Sequence, residues 1–90
     1  MLIVSYDISD NKLRTRLSKY LEKFGFRLQY SIFQIKNSDR ILTNIQSEIK
    51  HKFEKKFSET DSVLIFEMST TCKITRYGYA KNQETDLIIV

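Results

Sequence analysis

The chain has 90 residues, which predicts one domain. A domain of this size buries only about 60 to 65% of the surface of its unfolded chain, so we expect a second subunit to add stability. Lysine and arginine outnumber aspartate and glutamate by 15 to 11, and the net charge of +4 favours either a polyanionic partner or simple solubility. Cys72 is the single cysteine, which excludes an intramolecular disulfide, and His51 alone cannot complete a zinc site with it. No apolar run approaches the roughly 20 residues of a membrane span, so we expect a cytoplasmic protein without membrane contact.

The first ten residues predict a short buried strand that ends in an acid. Residues 2–4 are apolar and largely β-branched, and a polar loop follows them. Asp7 stands at the carboxyl end of this strand, where a carboxylate at the rim of a sheet can reach a cation or a phosphate. The alternative is that Asp7 or Asp10 caps the next helix, because aspartate is a preferred N-cap residue.

The next segment predicts an amphipathic helix over about Lys12–Phe24, because its apolar residues recur at a spacing of three and four. We predict that Gly25 ends this helix in the left-handed conformation. Arg14 and Arg16 lie off the apolar stripe and near the start of the helix, where a positive charge does not complement the helix dipole. Their position points either to an external anion or to a solvated surface.

Residues Phe26–Ile35 alternate between two faces, which predicts extended chain, with Arg27 and Phe33 on the same face. The pattern fits one strand or two strands that bend near Tyr30 and Ser31. Polar residues 37–39 then predict a loop and an N-cap for a second helix that ends near Phe57. The charged run at residues 50–56 is typical of the solvated side of such a helix, and we expect His51 to be exposed there without a role.

The strand predicted at Ser62–Met68 is apolar on both faces. Because helices cover only one face of a two-layer domain, the second face needs another cover, and dimerisation through the sheet supplies it. A short strand is predicted around Lys73–Tyr79. The apolar tail Leu87–Val90 is predicted to add a strand to a sheet edge.

Together these residues resemble the CRISPR-associated protein two family, the small subunit of the machinery that acquires CRISPR spacers. The resemblance covers nearly the whole chain. Its most specific parts are the run Tyr6–Asp10 and the run Arg27–Phe33, followed by the strand at Asp61–Phe66. It implies an α+β, ferredoxin-like domain over residues 1–90. It also implies a homodimer joined through its sheets, with the strand at residues 87–90 packed across the dimer.

The resemblance also implies a site. In this family the acid that matches Asp7 faces its twin across the dimer axis and can hold Mg²⁺, and some members are metal-dependent nucleases, so Asp7 is both the metal ligand and the catalytic candidate. Nucleic-acid contact is implied for Arg14, Arg16 and Arg27, with Asp10 and Phe33 in support. The chain departs from the commonest family pattern at Gln34, where many relatives carry glutamate.

Three functions remain open at this stage. The first is a structural adaptor that holds double-stranded DNA by its phosphates and assembles with the larger CRISPR-associated integrase. The second is a magnesium-dependent endonuclease acting on RNA or DNA, although one Asp7 per subunit gives a dimer only two carboxylates. The third is an RNA-binding module that stacks bases on exposed aromatic residues, for which Tyr30 and Phe33 are the candidates.

Overall fold

The computed structural model describes residues 1–78. Four antiparallel strands form one sheet in the order β2-β3-β1-β4, and two helices lie in the chain between them. The elements are β1 (Leu2–Asp7), α1 (Asn11–Glu22), β2 (Gly25–Gln29), β3 (Ile32–Ile35), α2 (Asp39–Glu48) and β4 (Ser62–Glu67). This order confirms the predicted α+β, ferredoxin-like fold. No helix within residues 1–78 is long and apolar enough to cross a membrane.

The helices start at side-chain caps and end where predicted to within two residues. Asp10 caps α1 by accepting a hydrogen bond from the amide of Leu13 at 2.8 Å, so the capping interpretation of Asp10 is confirmed. Ser38 caps α2 in the same way, through the amide of Ile41 at 3.3 Å. Beyond Glu48 the helix continues through a π-helical turn and a 3₁₀ turn to Lys56, next to the predicted end at Phe57.

The left-handed conformation predicted for Gly25 is wrong, because Gly25 is the first residue of β2 and does not have a positive φ angle. Helix α1 ends instead in tight turns, in which the amides of Lys23 and Phe24 donate to carbonyls three residues back. Glycine is needed here for a different reason. A Cβ atom on Gly25 would overlap the carbonyl oxygen of Gln34 on β3. The glycine therefore permits a close approach of two strands.

Residues 26–35 form two strands joined by a tight turn at Tyr30 and Ser31. Arg27 lies opposite Phe33 in the register, so the prediction that they share a face is confirmed. The register shifts between Arg27 and Gln29, which leaves Leu28 as an extra residue in β2. The sequence has no Asn-Gly pair at the turn, which is why the choice between one strand and two stayed open.

The core lies between the sheet and the helices. Alternate residues of β1 point toward the helices and are buried, and Phe33 joins them from β3 with no exposed surface. The helices contribute a row of leucines from α1 and two residues from the longer second helix. The main core members are Leu2, Val4, Tyr6, Leu13, Leu17, Leu21, Phe33, Ile45 and Phe53.

The other face of the sheet, which we call the outer face, carries Ile3, Ser5 and Asp7 from β1, because successive side chains of a strand alternate between faces. Residues 72–77 lie against part of this face and form a groove of about 460 Å³ with Ile3 and Leu28. The short strand predicted over Lys73–Tyr79 is wrong for residues 73–78, which form no strand. They line a groove together with residues of the outer face and do not pair with a sheet edge. Residue 79 and the predicted tail strand 87–90 lie outside the described residues.

None of residues 1–78 covers the remainder of the outer face. Leu64 and Phe66 of β4 are 56% and 43% exposed, while Val63 and Ile65 face the helices and are half-buried. The prediction that β4 is apolar on both faces and covered by helices on only one is therefore confirmed.

Candidate functional site

Asp7 is the last residue of β1 and is exposed at the carboxyl end of the strand. It lies opposite Ser62 of β4 and on the outer face, away from both helices. Its neighbours in the chain, Tyr6 and Ile8, are buried at 4% and 3% exposure and fix the backbone on either side. Its carboxylate accepts no hydrogen bond from the described part of the chain. Asp7 is thus a carboxylate on a firmly held backbone with its oxygens open to a ligand.

The loop that follows Asp7 is held by Asp61, which lies just before β4. One oxygen of the Asp61 carboxylate accepts hydrogen bonds from the amide and the hydroxyl of Ser9, at 3.0 and 3.1 Å. The other oxygen accepts from the amide of Ser58 at 2.8 Å. These hydrogen bonds, from Ser58 and then from Ser9, hold the pKa of the Asp61 carboxyl below its usual range. Asp61 therefore joins the loops at one end of β1 and β4 as an ionised carboxylate.

Arg14 holds the same loop from the other side. Its guanidinium donates to the carbonyl oxygen of Ile8 at 2.7 Å and to that of Ser9 at 3.4 Å, and it also contacts the side chain of Asn11. An arginine that satisfies its own backbone in this way acts first as a structural tie. The sequence left two alternatives for Arg14, a contact with an external anion or a solvated surface. The structure shows neither alone, because the guanidinium is bonded to carbonyl oxygens of its own chain.

Arg27 is also held within the fold. Its guanidinium lies 5.0 Å from the centre of the Phe33 ring and donates to the carbonyl oxygen of Tyr30 at 2.6 Å. It lies 3.8 Å from a carboxylate oxygen of Glu22. Phe33 supports Arg27 from inside the core and cannot itself touch a nucleic acid in this chain. The RNA-binding alternative, which needs Tyr30 and Phe33 both exposed, is wrong for Phe33, whereas Tyr30 is 70% exposed.

A cleft of about 320 Å³ between α1 and the β2–β3 hairpin brings Arg14 and Arg27 together above Tyr6. Burial raises the pKa of the Tyr6 hydroxyl, and the positive charge of Arg27 opposes this rise. Tyr6 therefore stays a neutral phenol at physiological pH. Asp7 points to the opposite face of the sheet, so the structure divides the predicted site residues between two faces of the domain.

Arg16 lies in a third place, on a row of cations along α1. These residues are separated by four, three and four positions, which puts them on one side of a helix. All four are exposed. They are Lys12, Arg16, Lys19 and Lys23, and we call them the α1 stripe. The spacing of this row is present in the sequence, but sequence reasoning, which considered Arg14 and Arg16, missed the row as a whole.

The α1 stripe borders a groove of about 290 Å³ between the two helices. Three cations of the stripe line it together with Lys52, and Glu48 is the one acid among its lining residues. Glu48 is paired with Lys52 at 3.1 Å, so its charge is largely compensated. The groove and the stripe thus form a continuous positive surface on the helix side of the domain.

The chemistry of Asp7 fits a hard divalent cation, because carboxylate oxygens are the preferred ligands of Mg²⁺. Within residues 1–78, however, no three histidine, cysteine, aspartate or glutamate side chains come together as a ready-made site. Asp7 would need oxygen ligands from a second copy or from water. His51 is exposed on the longer helix, with its ring nitrogen 2.9 Å from the carbonyl oxygen of Ser47, and takes no part.

Comparison with known proteins identifies the family. The family model for CRISPR associated protein Cas2 matches residues 1–76. A relative named CRISPR-associated endoribonuclease Cas2 2, from Methanospirillum hungatei, is 30% identical over 90 residues, which cover 98% of this chain and 97% of the relative. CRISPR-associated endoribonuclease Cas2 of Mycobacterium tuberculosis is 32% identical over 78 residues, which cover 86% of this chain and 65% of the relative.

Solved structures agree on the fold. A hypothetical protein from Thermus thermophilus superimposes with a TM-score of 0.70 at 23% identity, covering 88% of this chain and 93% of that one. Cas2 of Streptococcus pyogenes, crystallised at pH 6.5, gives a TM-score of 0.66 at 19% identity, covering 78% of this chain and 87% of that one. These matches show the fold, and the family model and the relatives show that the chain belongs to the CRISPR-associated Cas2 family.

Proposed function

We propose that this protein is a homodimeric, DNA-binding adaptor of the CRISPR spacer-acquisition complex, in which it works with the larger CRISPR-associated integrase. The observation that carries the proposal is the α1 stripe, a row of four exposed cations on the helix side of the domain. Family membership supports a place in a CRISPR complex.

The geometry of the α1 stripe suits the backbone of duplex DNA. Lys12 and Lys23 are eleven residues apart, and a rise of about 1.5 Å per residue puts about 16 Å between them. That distance spans several phosphates of a duplex, which carries one phosphate per roughly 3.4 Å of axis on each strand. Lysine and arginine side chains on a solvated helix face neutralise phosphates without reading bases. Such a surface binds any DNA sequence, as a spacer-handling adaptor must.

The outer face supports the homodimer. Leu64 and Phe66 of β4 are exposed there, and β4 is an edge strand of the sheet among the described residues. Proteins usually cover an open strand edge that has exposed apolar residues beside it. In a symmetric dimer the same surface of each protomer covers that of the other, so one interface covers both. A dimer formed through the outer faces leaves both α1 stripes on the outside, where a duplex can reach them.

A second function, a magnesium-dependent endonuclease, is favoured by Asp7. The carboxylate is exposed on the outer face, so the proposed dimer can bring two copies of it together, and the relatives are named endoribonucleases. In this function the paired Asp7 carboxylates would hold Mg²⁺, and the ion would supply activation of water and stabilisation of the charge that develops on the phosphate. Two carboxylates make a sparse ligand set, and no histidine or lysine stands beside Asp7 as a general base in the described residues. The adaptor function therefore ranks first.

The Asp7→Asn substitution separates the two functions. It keeps the size of the side chain and removes the charge that Mg²⁺ requires, so the fold and the dimer should persist. We expect the variant to lose any divalent-dependent cleavage but to support spacer integration by the reconstituted complex at a rate near that of the wild type. Glu67→Gln, which neutralises an exposed acid at the other end of β4, serves as the matched control. Normal assembly and DNA binding without integration would instead make Asp7 essential to the pathway and reverse the ranking.

A further inference from the structure

We infer that Asp61 is a positioning residue for Asp7: it locks the loop after β1 so that the Asp7 carboxylate is held ready for a divalent cation. This inference rests on the metal-binding role proposed for Asp7. Asp61 is exposed enough to be mistaken for a surface acid, and its sequence position, 54 residues after Asp7, gives no sign of a connection.

Asp61 holds Ser9 by two hydrogen bonds. The amide and the hydroxyl of Ser9 both donate to the same oxygen of Asp61, at 3.0 and 3.1 Å. The second oxygen of Asp61 is held by the amide of Ser58 at 2.8 Å, and the hydroxyls of Ser9 and Ser58 lie 3.4 Å apart. A carboxylate with both oxygens occupied has one orientation, so Ser9 is tied to the start of β4 rather than to a mobile side chain.

Ser9 is held on both sides of its peptide group. Asp61 accepts a hydrogen bond from the Ser9 amide, while Arg14 donates to the carbonyl oxygens of Ile8 and Ser9. Hydrogen bonds to charged partners are roughly twice as strong as those between neutral groups. The loop is thus clamped between an anion and a cation of the same chain.

The clamp formed by Asp61 and Arg14 lies next to Asp7. Asp7 pairs with Ser62 in the last rung of the β1–β4 ladder, and Ser62 directly follows Asp61. The clamp closes two residues beyond Asp7 on β1 and one residue before its partner on β4. Burial of Tyr6 and Ile8 holds the backbone of β1 at this rung, and Asp61 adds the only side-chain hydrogen bonds among the described residues that join Ser9 to the start of β4. Without Asp61 the loops beyond the last rung lose this shared anchor and open more readily.

The proposed metal site has few protein ligands. A cation held by one carboxylate from each protomer has only two protein ligands, so a displaced Asp7 carboxylate removes a large share of the binding free energy. Loss of an outer partner that hydrogen-bonds a ligand directly typically lowers metal affinity by about 10- to 100-fold. Asp61 bonds Ser9 and not the Asp7 carboxylate, so it acts through the backbone and its loss belongs at the low end of that range. Asp61 also carries a negative charge near the site, so its orienting effect and its charge must be measured separately.

The test uses the full-length dimer and Mn²⁺, a paramagnetic stand-in for Mg²⁺, with binding followed by electron paramagnetic resonance. Asp61→Ala removes the clamp and the charge, whereas Asp61→Asn removes the charge and keeps an oxygen that can accept from Ser9. Glu59→Gln is the control, since it removes the same charge from an exposed position in the same loop. Amide hydrogen exchange of residues 8–10 reports the state of the loop, and light scattering confirms the dimer.

We expect Asp61→Ala to weaken Mn²⁺ binding by about 10-fold and to speed exchange at Ser9, with Asp61→Asn in between and Glu59→Gln like the wild type. Wild-type Mn²⁺ affinity in Asp61→Ala would overturn the inference even if exchange increased, because Asp61 would then be structural only. An equal loss in Glu59→Gln would also overturn it, since charge alone would explain the effect. If the wild-type dimer binds no Mn²⁺ at Asp7, the proposed metal function fails and the positioning role fails with it.

Discussion

The α1 stripe predicts how the affinity of the protein for duplex DNA depends on salt. Replacing Arg16 and Lys23 with glutamine removes two of its four cations while keeping long polar side chains at exposed positions. Each lost phosphate contact lowers the slope of log affinity against log salt by about 0.9 on B-form DNA. The double variant should therefore lose about 1.8 from the slope if one protomer lies on the duplex, and about 3.6 if both stripes of a dimer do.

The assay is fluorescence anisotropy with a labelled duplex, repeated over a range of salt concentrations and with two unrelated sequences. A matched control replaces Lys50 and Lys55, which are exposed near the end of the second helix and away from the stripe, with glutamine. It changes the net charge by the same amount. We expect the control to retain the wild-type slope. Equal losses in both double variants would mean that net charge, and not the stripe, controls binding, and an unchanged slope in the Arg16 and Lys23 variant would refute the stripe as the contact surface.

Three further outcomes follow from the packing. Replacing Leu64 and Phe66 with glutamate should give a folded monomer by light scattering. A charge buried in the proposed interface is costly, whereas the same charge on an exposed strand is not. A dimer of unchanged mass would place the interface elsewhere. Gly25→Ala should lower the melting temperature, since its methyl group must displace the Gln34 backbone. The ionised Asp61 should stabilise the folded protein above a pH of about 4, the ordinary carboxyl pKa. This stabilisation should be lost as the pH falls through the lowered pKa of Asp61 in the folded protein. Acid unfolding of Asp61→Asn and of the wild type measures the difference.

The elements could be predicted from the sequence because local patterns carry them. The apolar spacing of α1 and of the second helix, and the capping residues Asp10 and Ser38, are signals within single turns. Gly25 shows where such reasoning ends. A glycine after a helix is most often its left-handed terminator, but here the requirement comes from a carbonyl nine residues later on the neighbouring strand. A contact between strands leaves no mark in the local pattern.

The position of Asp7 could also be predicted, since strand alternation places it on the outer face once the buried face of β1 is known. The two faces of β4 could be predicted for the same reason. The position of residues 72–77 could not be predicted, because they line a groove on the outer face without forming a strand, and a segment that forms no ladder has no periodicity to detect.

The arginines show most clearly what the sequence leaves undetermined. Arg14 and Arg16 are two residues apart, and in sequence both are cations off the apolar stripe of α1. In the folded chain a separation of two puts them on different sides of the helix. Arg14 turns back to the carbonyls of the loop that it follows, and Arg16 stays exposed in the row that begins at Lys12.

Because Arg14 and Arg16 lie on different sides of the helix, their substitution should have different effects. Loss of Arg16 removes a positive charge from the surface and should weaken DNA binding with little effect on stability. Loss of Arg14 leaves the carbonyl of Ile8 without its charged donor, and it opens the clamp on Ser9 from the side opposite Asp61. A substitution at Arg14 therefore disturbs the loop that carries Asp7, and reduced nucleic-acid binding or cleavage in such a variant does not by itself make Arg14 a phosphate contact.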